Sequence, residues 1–232
     1  MNAKKLSFLL LILVAVACTN RSTSSEQDEM RHWNNVLQQI NALLLENKAR
    51  QTLDLAKQTL PEILESAEKN GTTDTLIYYA RKIFNACGNN YINTKQYKDG
   101  IDYMDSIGNH PLIREHCPHE LLSFKAGLNQ LYGNNPEAVR LAEDYLQLPV
   151  CTSANDFIRQ AEIISGVYMY SGNNLPKAIQ ILEKAIDVYR KGGNFPNMLR
   201  IMSRLGIYYH LSGEYEKAIA TNQEAIATYN DS

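Results

Sequence analysis

From about residue 29 onward, apolar positions recur at intervals of three and four, and blocks of that pattern recur in turn. In "YEKAIATNQEAIATY" (215–229), Ala218, Ile219, Ala225 and Ile226 fall at helical spacing. Gly206, Ala218 and Ala225 have counterparts 40 residues earlier at Gly166, Ala178 and Ala185. A further 40 residues back stand Ala126, Ala138 and Tyr145, and 38 before Ala126 stands Gly88, followed by Gly100 and Ile107. A fixed period of about 40 residues is the signature of stacked repeats. Each unit reads as an aromatic-bearing first helix, a Gly/Asn turn (133–135, 172–174, 212–214) and an amphipathic second helix. The pattern therefore predicts an all-α chain, an α-solenoid of about five antiparallel helix pairs. Gly inside a helix costs about 1 kcal/mol against Ala. Gly88, Gly166 and Gly206 are accordingly expected where a neighbouring helix backbone comes close. Residues 29–71 are helical in pattern but fit the repeat poorly, and they are expected to form an atypical N-terminal pair that covers one end. Pro61 is expected to kink or restart the second helix there.

The residues of the C-terminal units carry a family resemblance. Leu205-Gly206, Tyr209, Gly213, Tyr215, Ala218 and Ala225 resemble the tetratricopeptide-repeat pattern, and Gly166, Ala178, Leu182 and Ala185 resemble it again. Gly88, Tyr91, Tyr97 and Met104 follow it with Gly100 in place of the first Ala; the unit from Ala126 to Tyr145 follows it more weakly. The period of 38 to 40 departs from the family's usual 34. The resemblance spans residues 72–232, with units at about 81–110, 119–150, 159–191 and 199–230, and implies a right-handed superhelix. It also implies a concave groove lined by first-helix residues: Lys82, Asn85, Asn89 and Ile92; Glu120, Ser123, Gly127 and Gln130; Gln160, Ile163, Val167 and Tyr170; Arg200, Ser203, Ile207 and His210. Lys82, Asn85 and Asn89 faintly resemble the clamp with which some members grip peptide C-termini. Ile163, Val167, Tyr170 and Ile207 make the C-terminal half apolar, which fits an interaction patch or a tightly curled, self-packed superhelix. Members often end in a polar capping helix, whereas this chain stops at Asn230-Asp231-Ser232 after a second helix. That end is expected to be solvated directly or to dock on something.

The N-terminus reads differently. Lys4 and Lys5 precede an apolar run, Leu6–Ala17, interrupted by Ser7. Twelve helical residues cover about 18 Å, short of the roughly 30 Å hydrocarbon core, so residues 1–17 read as a signal peptide. Ala15-Val16-Ala17-Cys18 resembles the lipobox of bacterial lipoproteins, with Ala15 in place of the usual Leu. The resemblance implies diacylglycerol on Cys18, and two or more acyl chains anchor stably. Residues 18–28 read as the lipidated Cys and a flexible tether, reaching about 18 Å over ten residues. Thr19, where Asp resembles an inner-membrane retention signal, favours the outer membrane. The expected location is the cell envelope, facing the periplasm.

Composition adds exclusions. With 21% charged residues, 44% hydrophobic residues and a net charge of -2, the chain has no basic stripe for nucleic acid. Gly-rich phosphate loops, HExxH and GxSxG are missing from the sequence, so no enzyme activity and no cofactor are expected. His116-Cys117-Pro118-His119, with His110 upstream, is the densest set of metal-ligating types, but adjacent His116 and Cys117 converge awkwardly at 2.0–2.3 Å; no metal is expected. Cys87 reads as a small core residue. Cys117 precedes the first helix of the third unit and Cys151 follows its second helix; antiparallel helices bring those ends together, and in an exported protein a Cys117–Cys151 disulfide is expected. The function implied is a membrane-anchored scaffold or adaptor that holds a protein or peptide partner. The alternative is the extracytoplasmic sensor region of a signalling protein, such as a histidine kinase or transcription regulator, in a truncated or split form. A third class, a glycan-binding or enzymatic envelope lipoprotein, is disfavoured by the single Trp33 and the lack of carboxylate pairing.

Overall fold

The computed structural model describes residues 27–149, 154–192 and 195–230. These residues fold into eleven α-helices with no strand among them. They are α1 (27–45), α2 (Ala49–Asn70), α3 (Asp74–Asn93), α4 (Tyr97–Ile107), α5 (Pro111–His116), α6 (Pro118–Tyr132), α7 (Asn135–Gln147), α8 (Ala154–Tyr170), α9 (Leu175–Gly192), α10 (Phe195–Leu211) and α11 (Tyr215–Asn230). The helices pair as α1/α2, α3/α4, α6/α7, α8/α9 and α10/α11, with the short α5 inserted before the third pair. The molecule is an all-α solenoid. Cys18, Cys151 and the apolar run at 6–17 lie outside the described residues, and α1 already begins inside the stretch read as a tether.

One turn design joins the two helices of every pair. Each turn holds one residue at positive φ: Asn47 (55°), Lys95 (58°), Gly133 (97°), Asn173 (44°) and Gly213 (82°). Gly and Asn enter the left-handed region at low cost, which explains the turn composition. In four of the five turns the next residue donates its N–H five positions back, as a Schellman turn does: Lys48 to Leu43, Gln96 to Tyr91, Asn134 to Asn129 and Glu214 to Tyr209, at 2.8–3.1 Å. The α8/α9 turn is one residue longer, and Asn174 donates to Tyr168 instead. Beyond each turn, a small residue closes the first turn of the second helix: Thr52, Gly100, Ala138, Ala178 or Ala218. The N-terminal pair thus shares the turn and the small-residue position of the others. It hides in the sequence because Thr52 stands for Ala, Ile40 stands for Gly, and the 22-residue α2 stretches the local spacing to 48.

As far as α8/α9, the apolar face of each pair is buried against the next pair. Two core clusters run along the array and meet at α6, where Leu128 belongs to the N-terminal one and Ala126 to the C-terminal one. Trp33 of α1 packs on Tyr79 of α3 with ring centroids 5.7 Å apart. Phe84 meets Phe124 edge-on at 6.2 Å across the α3–α6 contact.

Two expectations change. Of the kink or restart expected at Pro61, the restart does not occur: α2 runs through it as one helix of 22 residues. Pro61 and Lys57 both lie on the exposed face, where water can satisfy the Lys57 carbonyl that the proline leaves without a donor. The repeat glycines, moreover, do not share one role. A Cβ on Gly88 would lie 2.6 Å from Phe124 Cδ1 and closer still to Cγ and Cδ2, so the glycine admits a ring rather than a helix backbone. On Gly206 it would meet the Asn222 side chain at 2.5 Å, whereas on Gly166 it would meet nothing nearer than Gln130 Oε1 at 3.8 Å. Gly127, not among the glycines read as close approaches, lets Ile163 of α8 in: its Cβ would sit 2.6 Å from Ile163 Cγ2.

Candidate interaction face

The first helices α3, α6, α8 and α10 pack side by side in sequence order. Their close approach fills much of the groove implied by the sequence resemblance. Glu120, Ser123 and Gly127 of α6 are buried, as are Gln160 (1% exposed) and Val167 (0%) of α8. Val167 belongs to the core beneath α10, and Gln160 receives the Tyr145 hydroxyl at 3.3 Å, so neither is open to a partner. Ile163 is half-buried against the N-terminal cluster. Lys82, Asn85, Asn89, Ile92 and Gln130 are half-buried; Tyr170, Arg200, Ser203, Ile207 and His210 are exposed. The structure thus opens this face at α10 and at Tyr170, leaves it partly covered along α3, and closes it over most of α6 and α8.

Between α3 and α10 lies a polar cluster. Glu162 of α8 is almost wholly buried, with a side chain 3% exposed. Its Oε2 lies 2.7 Å from Arg200 Nη2 and 3.8 Å from Arg159 Nη1, and its backbone carbonyl accepts from Arg204 Nη1 at 3.2 Å. Arg159 Nε donates to Asn89 Oδ1 of α3 at 2.7 Å, spanning α6. Three guanidinium groups and one carboxylate leave positive charge in excess among the described side chains. Burial lowers the Arg159 pKa first, and the charges of Arg200 and Arg204 push it the same way against the attraction of Glu162. Arginines with exposed edges around a buried carboxylate can receive a further carboxylate in a bidentate fork.

Of these residues the sequence reading singled out Asn89 and Arg200. It missed Arg159, Glu162 and Arg204, although the i,i+4 pair Arg200/Arg204 on one helix was a visible signal. Glu162 gave none, since its counterparts one unit away, Leu122 and Met202, are apolar.

The other candidate chemistry is structural. His110 Nδ1 accepts from the Leu112 N–H at 3.2 Å, capping α5, while its Nε2 lies 3.2 Å from Glu68 Oε1. His119 Nε2 lies 2.7 Å from the Pro149 carbonyl. Cys117 is buried where α5 meets α6; Cys151 and with it the expected pairing lie outside the described residues. No grouping of three or more metal-ligating side chains occurs among the described residues, and no helix among them is long and apolar enough to cross a membrane. At the C-terminal end of the array, a cleft of about 370 Å³ between α10 and α11 is lined by Gly206, Ile207, His210, Tyr215, Ile219 and Asn222.

Comparison with known proteins bears on this geometry. Residues 161–231 match the tetratricopeptide-repeat family model. That span covers most of α8 and all of α9, α10 and α11, the units whose turns and small residues repeat at 40. None of the curated proteins matches the sequence. Among similar solved structures is BtubC (BKLC) from P. vanneervenii, with a TM-score of 0.59 and 12% identity over 79% of this chain and 74% of that one. Another is a Podosopora anserina putative kinesin light chain with nearly identical TPR-like repeats, at 0.53 and 12% over 85% and 95%. A third is MamA from Desulfovibrio magneticus RS-1, at 0.50 and 14% over 88% and 97%. At these identities the likeness is one of fold. The family match thus covers the C-terminal part of the chain, and the structural neighbours share its helical-repeat fold.

Proposed function

We propose that the chain is a non-enzymatic scaffold of the bacterial cell envelope that holds a protein or peptide segment bearing carboxylates. The observation that carries this reading is the Arg159–Arg200–Arg204 cluster around buried Glu162 on the first-helix face. Such a cluster attracts acidic segments, and its reach falls as salt screens it. The lipobox-like Ala15-Val16-Ala17-Cys18 supports a lipid anchor on Cys18, and Thr19 supports the outer membrane, with the solenoid facing the periplasm. The tether would let the array sample partners near the membrane surface.

The test is paired capture from the host envelope with the wild-type chain and with Arg200→Glu/Arg204→Glu. A partner retained by the first, lost by the second and released by raised salt supports the reading; equal capture by both overturns it. The anchor is tested separately: Cys18→Ser should leave the membrane fraction and lose incorporation of labelled fatty acid, and a variant that keeps both contradicts the anchor.

A further inference from the structure

The outward side of α11 carries an apolar stripe. Tyr215, Ile219, Asn222 and Ile226 follow one another at intervals of four, three and four, and Tyr229 continues the series. This 3.5-residue spacing is that of a helix seam. A second stripe, Glu214, Ala218, Thr221, Ala225 and Thr228, runs beside it at the same intervals. That second, small-residue stripe is the one α11 turns toward α10: Ala218 is buried and the other four are half-buried. The large-residue stripe lines the cleft beside α10, where Asn222 lies against Gly206 and Tyr215 meets the His210 ring, and its outer side stays open, with Tyr215 56%, Ile219 58% and Ile226 63% exposed.

The preceding unit shows what such a surface is built to meet. The counterparts of Ile207, Ile219, Asn222 and Ile226 are Val167, Ile179, Leu182 and Ile186, all at most 7% exposed. There the next helix pair covers them, α10 packing on both α8 and α9. The α10/α11 end is therefore continuous with an interface the chain already makes twice, α6/α7 to α8 and α8/α9 to α10.

We propose that this stripe pairs with the same stripe of a second copy of the chain, across a two-fold axis at Asn222. Three observations select a second copy as the occupant. The surface is nearly neutral: Ala220, Gln223 and Ala227 flank it, Lys217 pairs with Glu214, and Glu224 pairs with Arg190. Glu216 stands near one end, so self-pairing brings no like charges together at the centre. Asn222 is the midpoint of the series 215–229, so either two-fold arrangement, parallel or antiparallel, sets it against its own counterpart, where an Asn pair fixes register. With Ile207 and Leu211 beside it, the exposed area of the stripe's large residues is roughly 700 Å², their polar atoms included, approaching the ~800 Å² per partner of a stable interface. This pairing leaves the arginine cluster of α8 and α10 uncovered by the seam, so it stands or falls apart from partner capture.

Sedimentation equilibrium of the purified full chain at micromolar concentration is the test. A mass twice that of one chain is expected, with Ile219→Ser/Ile226→Ser weakening association about a hundredfold while helicity stays unchanged. Asn222→Cys is expected to give a covalent dimer on mild oxidation that the wild type does not give. A monomeric wild type, or a dimer that survives the double substitution, overturns the proposal; in the first case a helix of a different protein becomes the candidate occupant.

Discussion

Substituting the repeat glycines with alanine separates helix propensity from packing at matched positions. At Gly166 the new methyl group meets only Gln130 Oε1 at 3.8 Å, an ordinary contact. The helix gains the roughly 0.8–1.0 kcal/mol by which Ala exceeds Gly. For a chain of this size that raises the thermal midpoint by about 2–4 °C. At Gly88 the same gain is opposed. Phe124 Cδ1 lies 2.6 Å from the added Cβ, against roughly 3.5–4.0 Å for carbon–carbon contact, so the ring must move by about 1 Å. Phe124 is fully buried and held edge-on by Phe84. Overpacking of this kind costs about 1–3 kcal/mol, for a net loss of up to about 2 kcal/mol. Gly206→Ala meets the exposed Asn222 side chain, which can swing away, so it falls near neutral. Gly127→Ala meets half-buried Ile163 and falls between Gly206 and Gly88. Thermal unfolding followed by circular dichroism ranks the four. A destabilising Gly166→Ala or a stabilising Gly88→Ala would refute the assignment of the close approaches.

Other substitutions report on separate parts of the array. Trp33→Ala removes the packing of α1 on Tyr79 and costs about 3–5 kcal/mol locally; hydrogen exchange should rise across 27–45 while α8–α11 stay protected, because repeats couple only to neighbours, and a uniform loss of protection would count against that independence. Pro61→Ala restores a donor for the Lys57 carbonyl inside α2 and should raise stability by about 1–3 kcal/mol in urea titration; no gain would mean that α2 is already bent to suit the proline. Burial raises the Cys87 thiol from 9.0 to about 12, against a smaller opposing hydrogen bond with Tyr103. Because the folded value is the higher one, this contribution is intact below pH 9 and is lost as pH climbs toward 12. Cys87→Ala should therefore flatten part of the alkaline loss of stability, and an unchanged alkaline limb would place that loss elsewhere.

The repeat was legible where one small residue must sit at a fixed place in a fixed turn. Ala218 and Ala178 mark the first turn of a second helix, and Gly133 and Gly213 mark a left-handed turn residue, so chemistry and geometry coincide. The N-terminal pair was not legible as a member of the series because Thr52 fills the same place with a hydroxyl that bonds back to the Lys48 carbonyl, and α2 is longer than its counterparts. The interaction face was legible only at its edges. Side-chain spacing places Gln160 and Val167 on the inner side of α8 but does not say how near α6 and α10 stand. That distance is set by Gly127, which admits Ile163, and it turns an open groove into packed core. Arg159 and Asn89 are 70 residues apart and belong to different repeats, so sequence spacing gives no sign that they meet.

The most direct test of the account is site-specific photocrosslinking in the native envelope. A photoreactive residue at Ser203, exposed on α10 between Arg200 and Arg204, is compared with one at Lys184, exposed on α9. The account predicts a discrete crosslinked partner from position 203 that disappears with Arg200→Glu/Arg204→Glu, and none from position 184. Crosslinks from 184 alone, or from 203 regardless of the arginines, would contradict it.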